Sequence, residues 1–145
     1  MAKKPKKKQI SLAKLKAKAQ VSFNKYIRDR DSEGEYFTCI SCGKPLPIKK
    51  MQAGHYFPVR GFDHMRFNED NVSGECQSCN GFNKAHLIGY TWNLIDKIGN
   101  KRYDELRKIS QIKTKLSYTE VEEILLKYKN TWYILYKKGC LSYQT

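Results

Sequence analysis

The 145-residue chain carries 28 Lys and Arg against 14 Asp and Glu, a formal charge of +14, in a length suited to one domain. Such an excess opposes compaction by self-repulsion and points to a polyanionic partner, nucleic acid first and an acidic membrane surface second. No apolar run reaches spanning length and the basic N-terminus lacks the apolar segment of a signal peptide, so the expectation is a soluble, intracellular protein.

Residues 1–9 read as a basic flexible arm, suited either to solubility or to neutralising phosphates. From Ile10 to about Arg28, Leu12, Leu15, Ala19, Phe23, Tyr26 and Ile27 recur at helical intervals with lysines on the other face. "RDRDSEGE" ends that helix in a turn. "YFTCISCGKPLP" reads as a short strand entering a knuckle, where Gly43 permits a tight turn and Pro45 and Pro47 bar helix. "MQAGHYFPV" reads as a second strand ending at Pro58, and "RGFDHMRFNEDN" as a loop. After Cys79, Leu87, Tyr90, Leu94, Ile95 and Ile98 share one helical face, and Gly99 is the expected stop. "KRYDELRKI" is a shorter helix. The last begins at a Ser117–Glu120 capping box and carries Val121, Ile124, Leu125, Tyr128, Trp132, Leu135 and Tyr136 as an apolar stripe, either core or a dimer seam.

Five cysteines stand at 39, 42, 76, 79 and 140. Cys140 is alone and reads as an incidental thiol. The other four form two Cys-x-x-Cys turns, and each such turn presents two thiolates from one side. Together Cys39, Cys42, Cys76 and Cys79 predict a closed, structural four-thiolate zinc site. An iron–sulfur cluster and a redox dithiol are the rivals. A closed site has no open position for chemistry, so the insert between the pairs is the place to seek function. It holds His55 and His64, with His86 just beyond the second pair. Alone, Asn71 reads as a turn residue and Asn80 as a helix N-cap.

His55-Tyr-Phe-Pro58, then Asn71, then "CQSCN" resembles the HNH, or ββα-metal, nuclease signature in its four-cysteine branch. More closely, "YIRDRDSEG", "CISCGK", "AGHY", "RFNEDNV", "C..CN" and "Y...L...IG", in that order over about residues 10–100, are similar to the NinG/Rap family of lambdoid phage recombination endonucleases. The resemblance implies an α+β fold: a small zinc-stapled ββα-metal (HNH-like) core flanked by N-terminal and C-terminal helices. It implies a nuclease domain over 10–110 and a C-terminal helical extension over 111–145, a candidate dimerisation element. It implies metal-dependent cleavage of branched DNA such as Holliday junctions, in the cytoplasm of a bacterial host, with two nicks per junction calling for a homodimer. His55 would be the general base, Asn71 would orient it by hydrogen bonding, and Asn80 would hold a catalytic Mg²⁺ or Mn²⁺. Arg60, with Arg66, is placed to stabilise the scissile phosphate.

One position departs from the wider superfamily. The residue before the first His usually binds the metal, and here it is Gly54. Asp63, His64, Glu69, Asp70, Glu75 and Asn83 are the candidates to replace it, none singled out by spacing; Gln52 stands where some relatives carry Asp. That gap keeps a second class open, a catalytically silent, zinc-stapled nucleic-acid-binding module.

Overall fold

The computed structural model describes residues 9–81, 83 and 85–137, with side chains as far as Thr131. Residues 1–8 of the basic arm, Cys140, and the side chains of Trp132, Leu135 and Tyr136 lie outside the described residues.

Helix α1 spans Leu12–Asp31 and starts at Ser11, whose side chain accepts from the Lys14 amide. Leu15, Ala19, Phe23 and Ile27, four residues apart, are its buried stripe. The helix outlasts the predicted end at Arg28. Nothing in "RDRD" breaks it, and its last turn is tied down. Arg30 Nη2 donates to the Val72 carbonyl at 2.7 Å, and Asp31 Oδ2 accepts from the Gly74 amide at 2.7 Å. Those groups belong to the edge of the strand Val72–Cys76 away from its partner strand Met51–His55, where the Gly74 carbonyl also accepts from the Ile40 amide at 3.0 Å.

Strands β1 (Ser32–Glu33), β2 (Tyr36–Thr38) and β3 (Pro45–Pro47) form an antiparallel sheet in that order. The two prolines therefore sit in a strand, and they are tolerated because β3 is an edge. Between β2 and β3 the chain doubles back through Gly43, at φ 68°, with its amide on the Cys39 carbonyl at 2.8 Å.

Strands β4 (Met51–His55) and β5 (Val72–Cys76) pair antiparallel, from Met51 opposite Cys76 to His55 opposite Val72. The segment between them, expected as plain loop, contains 3₁₀ turns at Asp63–Met65 and Glu69–Asn71. The second is capped by Asn68, whose side chain accepts from the amides of Asp70 and Asn71.

Helix α2 (Gln77–Gly81) follows β5 directly, and α3 runs His86–Ser110. Gly99, at φ 81° and ψ 160°, is non-helical and ends the first helical segment of this run as predicted, and a second segment follows it. The shorter helix predicted over 101–109 lies in that second segment, and its Leu106 is buried with Tyr90 and Leu94 in one cluster. Helix α4 (Tyr118–Lys137) has the predicted capping box: Glu120 Oε2 accepts from the Ser117 amide at 2.7 Å and the Glu120 amide donates to Ser117 Oγ at 3.2 Å. Val121 and Tyr128 are buried against α1 with Ile124 and Leu125 beside them, and Tyr128 meets Phe23 edge-on at 5.0 Å. The described part of the stripe is therefore core within one chain.

Candidate functional site

Residues β5 and α2 carry from one side, and the β2–β3 turn carries from the other, meet at the cysteines. The four sulfurs of Cys39, Cys42, Cys76 and Cys79 all lie within 4.8 Å of one another. Tetrahedral zinc–thiolate bonds of about 2.3 Å separate the sulfurs by roughly 3.8 Å, so the donor set and its spacing fit a metal such as zinc. Cys42 is exposed and the other three are buried. Burial pushes the Cys39 and Cys79 thiols up, and at Cys79 the neighbouring cysteines add to it; at Cys76 hydrogen bonds from Cys79, Cys39 and Cys42 outweigh burial and lower it. Four such groups are compatible as thiolates only around a cation.

The β4–β5 hairpin divides the remaining candidates between two faces. Alternation puts Met51, Ala53 and His55 on one face with Val72, Gly74 and Cys76, and Gln52 and Gly54 on the other with Ser73 and Glu75. The first face packs on α1, since Ala53 and Val72 join its apolar cluster. The second packs on α3, whose Tyr90 hydroxyl donates to the Gly54 carbonyl at 2.8 Å.

His55, at the last position of β4, has its Nε2 3.0 Å from the carbonyl oxygen of Arg66. A carbonyl only accepts, so Nε2 carries the hydrogen and Nδ1 keeps its lone pair in the neutral ring. Burial holds the His55 pKa below the usual 6.5; the bond to the Arg66 carbonyl opposes that, and the Arg66 charge adds to it. The ring is thus neutral at pH 7 with one basic nitrogen.

Asn71 does not make the expected hydrogen bond to His55. Fully buried, it accepts from the Phe57 amide at 2.8 Å and donates to the carbonyls of Phe57 at 3.1 Å and Met65 at 3.2 Å. Its amide thereby cross-links both ends of the loop that presents the Arg66 carbonyl. The link between Asn71 and His55 is therefore indirect, through the loop whose Arg66 carbonyl meets the ring. Arg60 is exposed, with no hydrogen bond or ion pair to a described residue. Arg66 is engaged: its Nε pairs with Asp63 at 2.9 Å.

Asn80, in α2, donates from Nδ2 to Gln52 Oε1 at 2.8 Å. It therefore stands on the face of Gln52 and Glu75, not that of His55. Most acids considered for the missing ligand are committed elsewhere. Asp63 pairs with Lys16 and Arg66, and these outweigh burial to hold its carboxyl below the usual range. Glu69 accepts from Tyr26 at 2.9 Å and Tyr128 at 2.7 Å, tying α1 to α4. Asp70 pairs with Arg102, and Asn83 caps the Ala85 amide at 3.0 Å. His64 bonds the Ile109 carbonyl at 3.1 Å.

Glu75 differs. It is fully buried, and its Oε1 accepts from Ser41 Oγ and pairs with His86 Nδ1 at 2.6 Å. Its Oε2 has no hydrogen-bond partner. A Cβ placed on Gly54 would lie 2.1 Å from that oxygen. The sequence named Glu75 without distinguishing it and left His86 aside; the distinguishing signal was parity, since an acid beside a cysteine ligand must face away from the cysteine cluster.

The model of the family described as Bacteriophage Lambda NinG protein matches residues 1–138. Curated relatives include Protein ninG of Escherichia phage lambda, 38% identical over 88 residues, which are 61% of this chain and 41% of that protein. Protein ninG of Escherichia phage 933W is 36% identical over 88 residues, covering 61% of this chain and 42% of the relative. Protein ninG of Salmonella phage P22 is 36% identical over the same length, with 61% and 41% covered. The matched stretch therefore spans about two fifths of the length of these relatives. No solved structure matches the chain.

Proposed function

This chain belongs to the Bacteriophage Lambda NinG protein family, and from that premise we propose that it is a metal-dependent, structure-selective DNA endonuclease of the HNH, ββα-metal kind. Its substrate on this reading is branched DNA such as a four-way junction, met in the cytoplasm of a bacterial host. The observation that carries the reading is His55: a ring held neutral by burial, fixed in one tautomer by the Arg66 carbonyl, with Nδ1 free to take a proton from water.

Adjacent residues of a strand face opposite ways, and the edge of β4 away from β5 carries no strand partner among the described residues. A phosphodiester laid across that edge meets His55 on one side and the Gln52–Asn80 face on the other. His55 accepts the proton of the attacking water. Arg60, exposed and unpaired among described residues, binds a phosphate oxygen. Asn80 offers an amide oxygen of the kind hard cations accept. A divalent ion bound there supplies charge stabilisation at the phosphate and the leaving oxygen. The cysteine cluster, loaded with zinc, fixes where α2 begins and so where Asn80 stands. The formal charge of +14 provides sequence-independent affinity that falls steeply with salt. Paired nicks on one junction call for a homodimer.

A silent nucleic-acid-binding module is the second reading. It is favoured by the cysteine cluster being the sole His/Cys/Asp/Glu group of metal-binding size among the described residues. A labelled four-way junction, incubated with Mg²⁺ or Mn²⁺ and either wild type or His55→Ala, separates the two. Cleavage by wild type, lost in His55→Ala with binding kept, is the expected result. Binding without divalent-dependent cleavage by wild type ends the nuclease reading.

A further inference from the structure

We propose that Glu75 replaces the metal ligand that Gly54 cannot supply, so that Glu75 Oε2 and Asn80 Oδ1 together hold a divalent cation. The inference rests on reading Asn80 as an ion ligand, and it names this chain's own second donor.

Glu75 lies on the same hairpin face as position 54: it is directly opposite Gln52 and diagonal to Gly54, whose partner is Ser73. Diagonal neighbours on one face are within reach of a long side chain. The Glu75 carboxylate uses that reach, and its Oε2 stands where a side chain leaving residue 54 would begin, 2.1 Å from an ideal Cβ. Glycine at 54 is what makes the space.

The polar contacts of the carboxyl group are lopsided. Ser41 Oγ and His86 Nδ1 both address Oε1, and Oε2 is buried without a donor. Buried acceptors in folded proteins are nearly always satisfied, and the exceptions call for an explanation such as an ion. A carboxylate brought to zero exposure with one bare oxygen is unfavourable unless a positive charge meets it. Two donors clamped on Oε1 leave the carboxyl little freedom to turn, so Oε2 is presented in a fixed direction. Ser41 and His86 are positioning residues in this arrangement, the part that outer hydrogen-bond partners play around ligating carboxylates.

Asn80 completes the set. Its Nδ2 is spent on Gln52, the residue directly opposite Glu75, and its Oδ1 accepts from no described residue. Two oxygens, one charged and one neutral, suit Mg²⁺ or Mn²⁺ rather than zinc. The sulfurs of the neighbouring cluster keep the soft metal, so the two sites discriminate by donor type.

The test uses full-length, zinc-loaded protein and Mn²⁺ alone, read by electron paramagnetic resonance. Glu75→Gln keeps the size of the side chain and the Ser41 contact but removes the charge. Gly54→Ala removes no donor atom from the chain but drives a Cβ into the place of Oε2. Both should weaken Mn²⁺ by about tenfold or more, while His64→Ala, away from the face, leaves it unchanged. Mn²⁺ titrated into isotope-labelled wild type should broaden the amide signals around Gly54, Glu75 and Asn80 first, a readout that needs no variant to fold. Wild-type protein that binds no Mn²⁺, or broadening centred elsewhere, or undiminished binding in folded Glu75→Gln, overturns the proposal. If Mn²⁺ binding depends on Glu75 but no junction is cut, the nuclease reading falls and the site stands. If junctions are cut while Glu75→Gln binds Mn²⁺ normally, the ligand assignment alone falls.

Discussion

Replacing Asn71 with alanine separates a residue that orients His55 by touching it from one that works through the loop. The wild-type side chain makes three hydrogen bonds, all to backbone groups, at zero exposure. Alanine makes none of them. The Met65 carbonyl keeps a partner, because it also accepts from the Asn68 amide at 3.0 Å. The Phe57 amide and carbonyl do not. Each buried backbone group left unsatisfied costs about 1–3 kcal/mol, so two of them, partly rescued by water, predict a loss of about 3 kcal/mol. That is a large share of the roughly 5–15 kcal/mol available to a domain. Urea unfolding at fixed free zinc measures it, since metal bound only by the folded chain shifts the midpoint by mass action.

The functional consequence follows from the same bonds. Without them the loop from Phe57 to Arg66 is no longer fixed at its ends, and the Arg66 carbonyl moves relative to His55. Long-range nitrogen–proton spectra should show a single Nε2–H tautomer in wild type and a mixture in Asn71→Ala. Asn71→Asp is the sharper companion. It retains the acceptor for the Phe57 amide but sets a carboxylate against two carbonyl oxygens, so it should be at least as damaging as alanine. A stability loss below about 0.5 kcal/mol, or an unchanged tautomer in a clearly destabilised variant, would refute the clamp.

Two further outcomes test other contacts. A Cβ at Gly89 would approach the Ser41 carbonyl oxygen to 1.9 Å, a backbone atom with nowhere to go. Gly89→Ala should therefore destabilise by more than the roughly 1 kcal/mol that alanine gains in helix propensity, and should speed zinc release to a chromogenic chelator, because Ser41 lies between two cysteine ligands; a variant as stable as wild type would show that α3 does not press on the knuckle. The His55 pKa is lowered by burial, so the folded chain refuses a proton that the unfolded chain accepts near 6.5. Its stabilisation is complete above 6.5 and is lost as pH falls toward the folded-state value, a window above that of Asp63 and Glu69, whose lowered pKa values put their losses in acid. Proton NMR of the ring should give a midpoint below 6.5, and a midpoint at or above it contradicts the burial argument.

The parts legible in the sequence are those where one face alone is buried. Leu15, Ala19, Phe23 and Ile27 recur with helical period because α1 shows its other side to water. Ser117 and Glu120 announce α4 because a capping box is local. Strand β5 went unread for the opposite reason. All five of its residues are buried, Val72 against α1 and Ser73 and Glu75 toward α3, so no alternation of polar and apolar survives. The break at Gly99 is legible because a glycine at φ 81° leaves helical geometry locally; how the segment beyond it packs depends on Leu106 finding the Tyr90 cluster, which is tertiary. Asn71 was identified as important, but its partners lie 14 and 6 residues away and no local pattern separates them from His55.

Gly54 looked like a deletion because a motif is read along one strand. In a hairpin, a face belongs to two strands, and a donor can be delivered to the same point from either. The two deliveries exclude each other: with any side chain at 54, Oε2 of Glu75 has no room, since even a Cβ falls 2.1 Å from it. Glycine before His55 and a buried glutamate before Cys76 are therefore one feature seen from two strands. The parity of the hairpin also explains why the same glutamate needs Ser41 and His86. Reaching diagonally across the pair leaves a long side chain with torsional freedom that a short ligand at 54 would not have, and two donors on Oε1 remove it. His86 is placed for this by the start of α3, and Ser41 by the knuckle that the cysteines close, so the cysteine cluster is linked to both proposed ligands: through α2 to Asn80, and through Ser41 to Glu75.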